Sequence, residues 1–410
     1  MPMEYLDLKK DFENKKMLVE KMMGGNFLIY GNSFTEEISL GDYLKVVKPH
    51  LSKVFADDRV LKDIEFLARF IPGSVSNSLG FECRLDGKLE KKSDRACSVG
   101  VSCKDSNRKA LVKLLHSDLF SQNLSDRRKW KKVIELAGRW ADVNSTIYDK
   151  SLGFWFEFDL PLVERRIPLP GIFFGPLRIS SIELLKTSSY DWFLEDVVFK
   201  LLGRKKSSNL VRNITRCIGL LPPQSSVFQA GFMSSRDVHG VRLVIKDLPR
   251  DDIVSYLQSV GWKGDFKELK LQVNELGRIA DRIILSFDVC NEGIGHDIGL
   301  ECSFRLNRFH LENRWKGLLD YLVKKDMCVE EKMRSLLKFL GMDNEIKSKE
   351  RWPKNLLIAS EQLDKRFIST IVRFIGHIKI VYGKEGFKKT KAYFGIKHFW
   401  IPCMDWAFSQ

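Results

Sequence analysis

Apolar and polar residues alternate with a period of two in ten short segments, and the segments come in pairs. The pairs are 78–85 with 96–103, 151–160 with 169–177, 226–233 with 240–247, 282–290 with 297–306, and 369–382 with 388–399. Each pair but the last is followed by sequence of helical period: 106–116 and 127–141, 190–202 and 209–220, 250–260 and 266–280, 311–325 and 330–340. Residues 43–55 and 63–70 supply helices ahead of the first pair. The pattern predicts a weak internal repeat of two strands and two helices, present about five times.

Turn chemistry supports hairpins within the pairs. Asp86-Gly87, His239-Gly240, Asn291-Glu292-Gly293 and Gly383-Lys384-Glu385-Gly386 each lie between paired segments. Gly261 and Gly341 each follow the end of a helical stretch, where a helix-terminating glycine belongs. Asp251-Asp252 falls at a helix start, where carboxylates favour the dipole, and Asp57-Asp58 reads as a loop.

Alternation assigns each strand two faces. One is apolar: Phe81 and Cys83; Val99 and Val101; Phe154, Phe156 and Phe158; Leu243 and Ile245; Leu285 and Phe287; Leu300 and Cys302. The other carries Glu82, Arg84, Trp155, Glu157, Asp159, Arg242, Lys246, Asp288, Glu301 and Arg305, then Arg373, His377, Lys379, Lys391, Tyr393 and Lys397. Ten strands with one apolar face need a helical layer over that face. An α+β fold follows, a ten-stranded antiparallel barrel with a polar lumen and helices outside. Closure removes the exposed strand edges. The alternative is an open antiparallel sheet with one solvated face. Residues 1–75 read as a helical segment packing on the barrel, and 75–410 as the barrel domain.

Composition narrows the function classes. The 410 residues are 44% hydrophobic, which excludes wholesale disorder. No stretch reaches the roughly 20 apolar residues of a membrane helix, and the charged N-terminus lacks a signal-peptide core. Eight scattered cysteines form no CxxC and read as reduced, as in a cytoplasmic protein. Lys and Arg total 68 against 53 Asp and Glu, a net charge of +15, which suggests an anionic partner. No run of five like charges occurs, so a basic tail gripping nucleic acid is not expected. Dinucleotide, Walker, HExxH and DDxxD-like motifs are all missing.

Several segments resemble the aromatic prenyltransferases of the αββα, or PT-barrel, fold. SLGFECRL (78–85) is similar to the first strand of the indole prenyltransferases, where a Glu contacts the indole N–H; that position here is Glu82. FDLP (158–161) and PGIFFGP (170–176) resemble that family's FDLK and KAYFFP-type pair. KAYF (391–394) has the Lys-x-Tyr form whose lysines hold diphosphate and whose tyrosines shield the allyl cation. FQAGFMSSR (228–236) and RLVIKDLP (242–249) are similar to strands of the peptide-modifying members. The chain departs from the pattern at Pro170, Ile172, Val244, Lys246, Gly299 and Glu301, where Lys and Tyr are expected.

The resemblance implies five αββα units over about 75–400 and transfer of a prenyl group from an allylic diphosphate to an aromatic acceptor. That acceptor is a small molecule or a peptide side chain. No cofactor is implied beyond the Mg²⁺ that some PT-barrel enzymes use. Developing negative charge on the leaving diphosphate needs fixed cations, and Arg242, Lys246, Lys379 and Lys391 are the candidates, with Arg305 and Arg373 completing the set. Glu82 would accept or orient the acceptor proton, and His377 would take the proton lost on rearomatisation. Tyr393 and Trp155 would flank a cation through their π faces. The same residues also read as a lumen salt-bridge network, with Glu82 paired to Arg84 or Lys104. The competing functions are a PT-barrel enzyme of another reaction class and a non-catalytic basic binding protein.

Overall fold

The computed structural model describes residues 38–87, 97–162, 164–175, 179–182, 190–203, 207–236, 240–305, 312–362 and 367–402. Ten antiparallel strands close into a barrel. They are β1 (Ser78–Arg84), β2 (Cys97–Lys104), β3 (Gly153–Asp159), β4 (Gly171–Phe174), β5 (Ser226–Phe232), β6 (Val241–Lys246), β7 (Arg282–Cys290), β8 (Gly293–Ser303), β10 (Phe367–Gly383) and β11 (Gly386–Pro402). Each pairs with the next, and β1 pairs with β11 to shut the ring. A short additional strand, β9 (Gly341–Asn344), lies outside the ring on the lower half of β10, whose upper half pairs with β8.

The hairpin connections between paired strands all fall at one end of the barrel, here its upper end. Asn291-Glu292 and Lys384-Glu385 form two-residue turns, with Gly293 at φ 122° and Gly386 at φ 97°. His239 lies outside the described residues. Connections to the helices leave from the lower end.

The alternation holds as read. Phe81, Val99, Val101, Phe154, Phe158, Leu243, Ile245, Leu285, Phe287 and Leu300 are buried in one continuous apolar core between strands and helices. Helices Arg127–Ala141, Ser208–Gly219, Ile253–Val260, Phe266–Leu276, Arg314–Lys324 and Glu330–Phe339 match the expected stretches to within a few residues. Trp130 and Trp140, ten apart on Arg127–Ala141, are fully buried on the core-facing stripe. Asp57-Asp58 is not a loop: Asp57 caps the helix Asp58–Ala68, accepting from Arg59 N and Val60 N at 3.1 and 3.0 Å. No helix among the described residues is long and apolar enough to cross a membrane.

One irregularity matters for the lumen. The β10–β11 register shifts between Ile375 and His377, so Gly376 is a bulge that reverses the facing of everything below it. Ile371 and Ile375 pack in the helix-side core, and Arg373 lies on that same side.

The closing seam is tight. A Cβ on Gly395 would meet Leu79 O at 2.5 Å and Gly80 Cα at 3.0 Å. Gly395→Val should therefore cost about 1–3 kcal/mol by overpacking. Gly317, an exposed helical glycine with nothing within 4 Å of a built Cβ, should behave oppositely. Gly317→Ala should add about 0.5–1 kcal/mol. Urea midpoints of the two variants check both signs.

Candidate active site

Three rows of lumen-facing residues cross β11, β1, β2 and β3. The upper row is Tyr393, Glu82, Ser98 and Asp159. The middle row is Gly395, Gly80, Gly100 and Glu157, and Gly171 of β4 continues it. The lower row runs from Lys397 and Ser78 to Ser102 and Trp155.

Glu82 sits where closure brings the first and last hairpins together. Lys391 Nζ donates to its Oε1 and the Tyr393 hydroxyl to its Oε2, so both carboxylate oxygens are occupied. Arg84 turns instead to Asp86, so the expected alternatives of Arg84 or Lys104 as partner do not hold. Burial pushes the Glu82 carboxyl up, but the charge and hydrogen bond of Lys391 and the Tyr393 hydrogen bond outweigh it, leaving it at about 2. Glu157 faces the same chamber with a different outcome. Burial and the negative charge of Glu82 raise it to about 7, against the pull of Arg236 and Lys391. Arg236, from the β5–β6 loop, donates Nη2 to Glu157 Oε1 at 2.9 Å and Nε to Asp159 Oδ2 at 3.0 Å.

Cations gather on the neighbouring wall. Lys379 stands directly across the strand pair from Lys391 and donates to Glu301 Oε1 at 3.0 Å. Its pKa is lowered by burial, held up by Glu301 and depressed further by Arg242 and Lys391. Lys389, one lumen position above Lys391, is lowered by burial and then by Lys391, and it makes no ion pair among the described residues. Arg242 forms a fork with Asp288, both contacts 2.9 Å. Gly299 stands where a Lys was expected from the resemblance, and a side chain there would run into Cε of Lys379. The missing Lys at 299 thus makes room for the one at 379.

His377 stacks on Tyr393 with ring centroids 4.1 Å apart, and its Nε2 lies 3.9 Å from Glu301 Oε2. Burial lowers its pKa. Trp155 lays its indole along the middle row, 2.7 Å from a Cβ built on Gly100 and 3.4 Å from one on Gly80.

Glu82, His377, Arg242, Lys379, Lys391, Tyr393 and Trp155 thus share the lumen. Three expected members are elsewhere. Arg373 faces the helices because of the Gly376 bulge; it pairs with Asp343 of β9 and donates Nε to Phe339 O at 2.7 Å. Burial lowers it to about 10. Arg305 is exposed beyond the end of β8, its backbone N bonded to Asp281 at 2.9 Å. Lys246 keeps the lumen register but sits at the lower rim, 3.6 Å from Asp247 and over the Phe228 ring. Glu157 and Lys389 were readable as lumen positions from alternation, yet nothing in the sequence marked them above their neighbours. Arg236 lies in a loop and carries no periodic signal. Among the described residues no group of three or more His, Cys, Asp and Glu is placed to hold a metal ion.

Removing Lys391 would leave Glu82 buried with its charge uncompensated. Lys391→Met should cost about 3–5 kcal/mol in denaturant unfolding, and adding Glu82→Leu should return much of it. The Glu82 carboxyl is depressed on folding, so its contribution is present above about pH 4.5 and is lost as pH falls toward 2. Acid unfolding should therefore shift to higher pH in Tyr393→Phe, which removes one of the two bonds holding the anion.

No protein-family model matches the chain, and no curated relative does. Solved structures match by shape. The prenyltransferase PriB in its apo form is 12% identical with a TM-score of 0.51, covering 88% of this chain and 98% of that one. AnaPT from Neosartorya fischeri is 13% identical at a TM-score of 0.46, covering 88% and 94%. The 6-dimethylallyltryptophan synthase from Micromonospora olivasterospora, in complex with DMASPP and Trp, is 12% identical at 0.47, covering 87% and 97%. With helices outside, polar side chains within and the ring closed between its first and last strands, this chain has the αββα PT-barrel fold also seen in PriB.

Proposed function

We propose that the chain transfers a prenyl group from an allylic diphosphate to an aromatic acceptor inside the barrel. The observation that carries this reading is the cation cluster of Lys379, Lys389, Lys391 and Arg242 on one side of the lumen, beside the stacked Tyr393 and His377. Burial lowers the pKa of Lys379 and Lys389, and the nearby charge of Lys391 adds to the shift of each, so a polyanion placed beside them would be favoured. A diphosphate placed there would meet fixed positive charge as its bond to the allyl carbon breaks. The Tyr393 ring would face the cation left behind. Water excluded by the closed wall would not quench that cation. The likeness to PriB supports the fold in which such a reaction is housed.

The test is mass spectrometry after incubation with dimethylallyl or geranyl diphosphate and a panel of indoles, phenols and Trp- or Tyr-containing peptides. A mass gain of one prenyl unit is expected. Lys379→Met and Arg242→Gln should each lower kcat/KM for the donor by about 10²-fold or more. Because Lys and Arg supply the positive charge, transfer should continue in a chelator; complete loss restored by Mg²⁺ would contradict this.

A second reading rests on one fact. Arg242, Lys379 and Lys391 already hold Asp288, Glu301 and Glu82. A lumen so balanced also suits a reaction of another class on a less charged substrate. Pyrophosphate that fails to bind the folded protein would favour that reading.

A further inference from the structure

Three cations of the upper lumen have carboxylate partners: Lys391 holds Glu82, Lys379 holds Glu301 and Arg242 holds Asp288. Two lysines at the lower end, Lys104 and Lys397, form no ion pair among the described residues. Lys397 lies on β11 in register with Ser78 of β1 and Val372 of β10. Its Nζ stands 4.9 Å from the centre of the Phe399 ring. Val372 and Phe399 belong, with Ile401, to the buried apolar group of this end. Lys104 follows Ser102 on the same face of β2, opposite Gly153, which brings no side chain to fill the space beside it. Ser78, Ser102, Lys104, Trp155 and Lys397 are all half-buried, so solvent reaches them.

We propose that Lys397 is a nucleophilic amine that forms a Schiff base with a 2-oxo acid, and that Lys104 holds the carboxylate of that acid. The site is independent of prenyl transfer in the upper lumen. The two functions of such a ligand match the two lysines. Its carboxylate supplies the anion that Lys104 lacks, and its carbonyl carbon, bonded directly to the carboxyl carbon, is presented to Lys397. The Lys397 nitrogen gives its lone pair to that carbon, and the C=O π pair moves to oxygen. A C=N bond then replaces the C–O bond. Both hydrogens of the amine end on the oxygen, which leaves as water. The hydroxyls of Ser78 and Ser102, in the same row, can carry those protons.

The groups that face Lys397 are Lys104 of β2, Ser78 of β1, Trp155 of β3, Val372 of β10 and Phe399 on its own strand. Lys104 alone of these carries charge. Burial and then the charge of Lys104 lower Lys397 to about 8. An amine desolvated by apolar neighbours and set beside a second cation is partly neutral near physiological pH, and the neutral amine is the nucleophile. Lys389 is unpaired too, but it feels the charges of Asp297 and Glu82, which favour its protonated form.

Pyruvate is the probe, added to the full chain and trapped with sodium borohydride, with the reduced adducts located by peptide mass mapping. Reduction acts on every imine, so the yield at Lys397 relative to exposed lysines is the readout. That ratio should be about tenfold or more below pH 8 and should fall above it, as exposed lysines of pKa about 10.4 begin to lose their protons. Lys104→Met should lower the pyruvate adduct at Lys397 by about tenfold or more, because the contact to the carboxylate is removed. Lys104→Arg, which keeps the charge, should restore it. Acetaldehyde, which has no carboxylate, should lose much less in Lys104→Met than pyruvate does. If Lys104→Met does not fold, Lys104→Gln gives the same comparison, and mapping of the wild type needs no variant. Adducts spread evenly over the exposed lysines, or pyruvate that binds without forming an adduct at Lys397, would overturn the nucleophilic role. Equal losses for pyruvate and acetaldehyde would overturn the assignment of the carboxylate to Lys104.

Discussion

The pairing of β1 with β11 is the constraint on which the site depends. Ser78–Arg84 runs against Lys391–Lys397 in continuous register. That register puts Glu82 beside Tyr393 and within reach of Lys391. A slip of one residue would exchange the faces of the strand. Phe81 and Cys83 would then enter the lumen and Glu82 would enter the apolar core. Burying a lone carboxylate under helices costs several kcal/mol, so hydrophobic burial outside and charge pairing inside select the same register.

The lumen is a small volume containing many charges, and its electrostatics follow from who is paired with whom. Glu82 and Glu157 face one chamber on strands separated only by β2. Glu82 has a lysine and a phenol on its two oxygens and stays ionised. Glu157 shares one arginine with Asp159 and feels the charge of Glu82. Two carboxylates in one chamber are thus driven apart, one held ionised and the other raised toward neutrality. The cations show the same logic: Arg242 is held in a fork by Asp288, whereas Lys389 feels Lys391 and Lys388 against the charges of Asp297 and Glu82.

Glycines shape this interior as much as charges do. Gly299 clears the path of the Lys379 stem, Gly100 carries the Trp155 indole, and Gly376 reverses the facing of lower β10. The bulge removes Arg373 from the lumen and gives it to Asp343 on β9. It leaves Val372, Phe399 and Ile401 as a buried apolar group separate from the main core. Tyr43, from the helix Leu40–Val47, stacks on His398 of β11 at 4.9 Å, tying the leading helix to the last strand.

The strand pairs, their order as hairpins, the helices between them and the apolar face were legible in the sequence. All of these are written in periods of two and 3.6 that depend on neighbours along the chain. The inward facing of Arg242, Lys379, Lys391 and Tyr393 follows from the same alternation. The bulge at Gly376 did not show, because one extra residue in a strand leaves its apolar count almost unchanged. Strand β9 and the helix cap at Asp57 were missed because four residues and a single aspartate carry little pattern. Alternation in the sequence determined the lumen face of β1, β3, β6 and β11, but not that of lower β10 or the reach of the loop residue Arg236. Only the tertiary structure decided which of them touch: that Glu82 is saturated while Glu157 keeps an open oxygen, and that a loop arginine reaches back to β3. Those contacts join residues about 80 to 310 positions apart, and no local period encodes the distance between them.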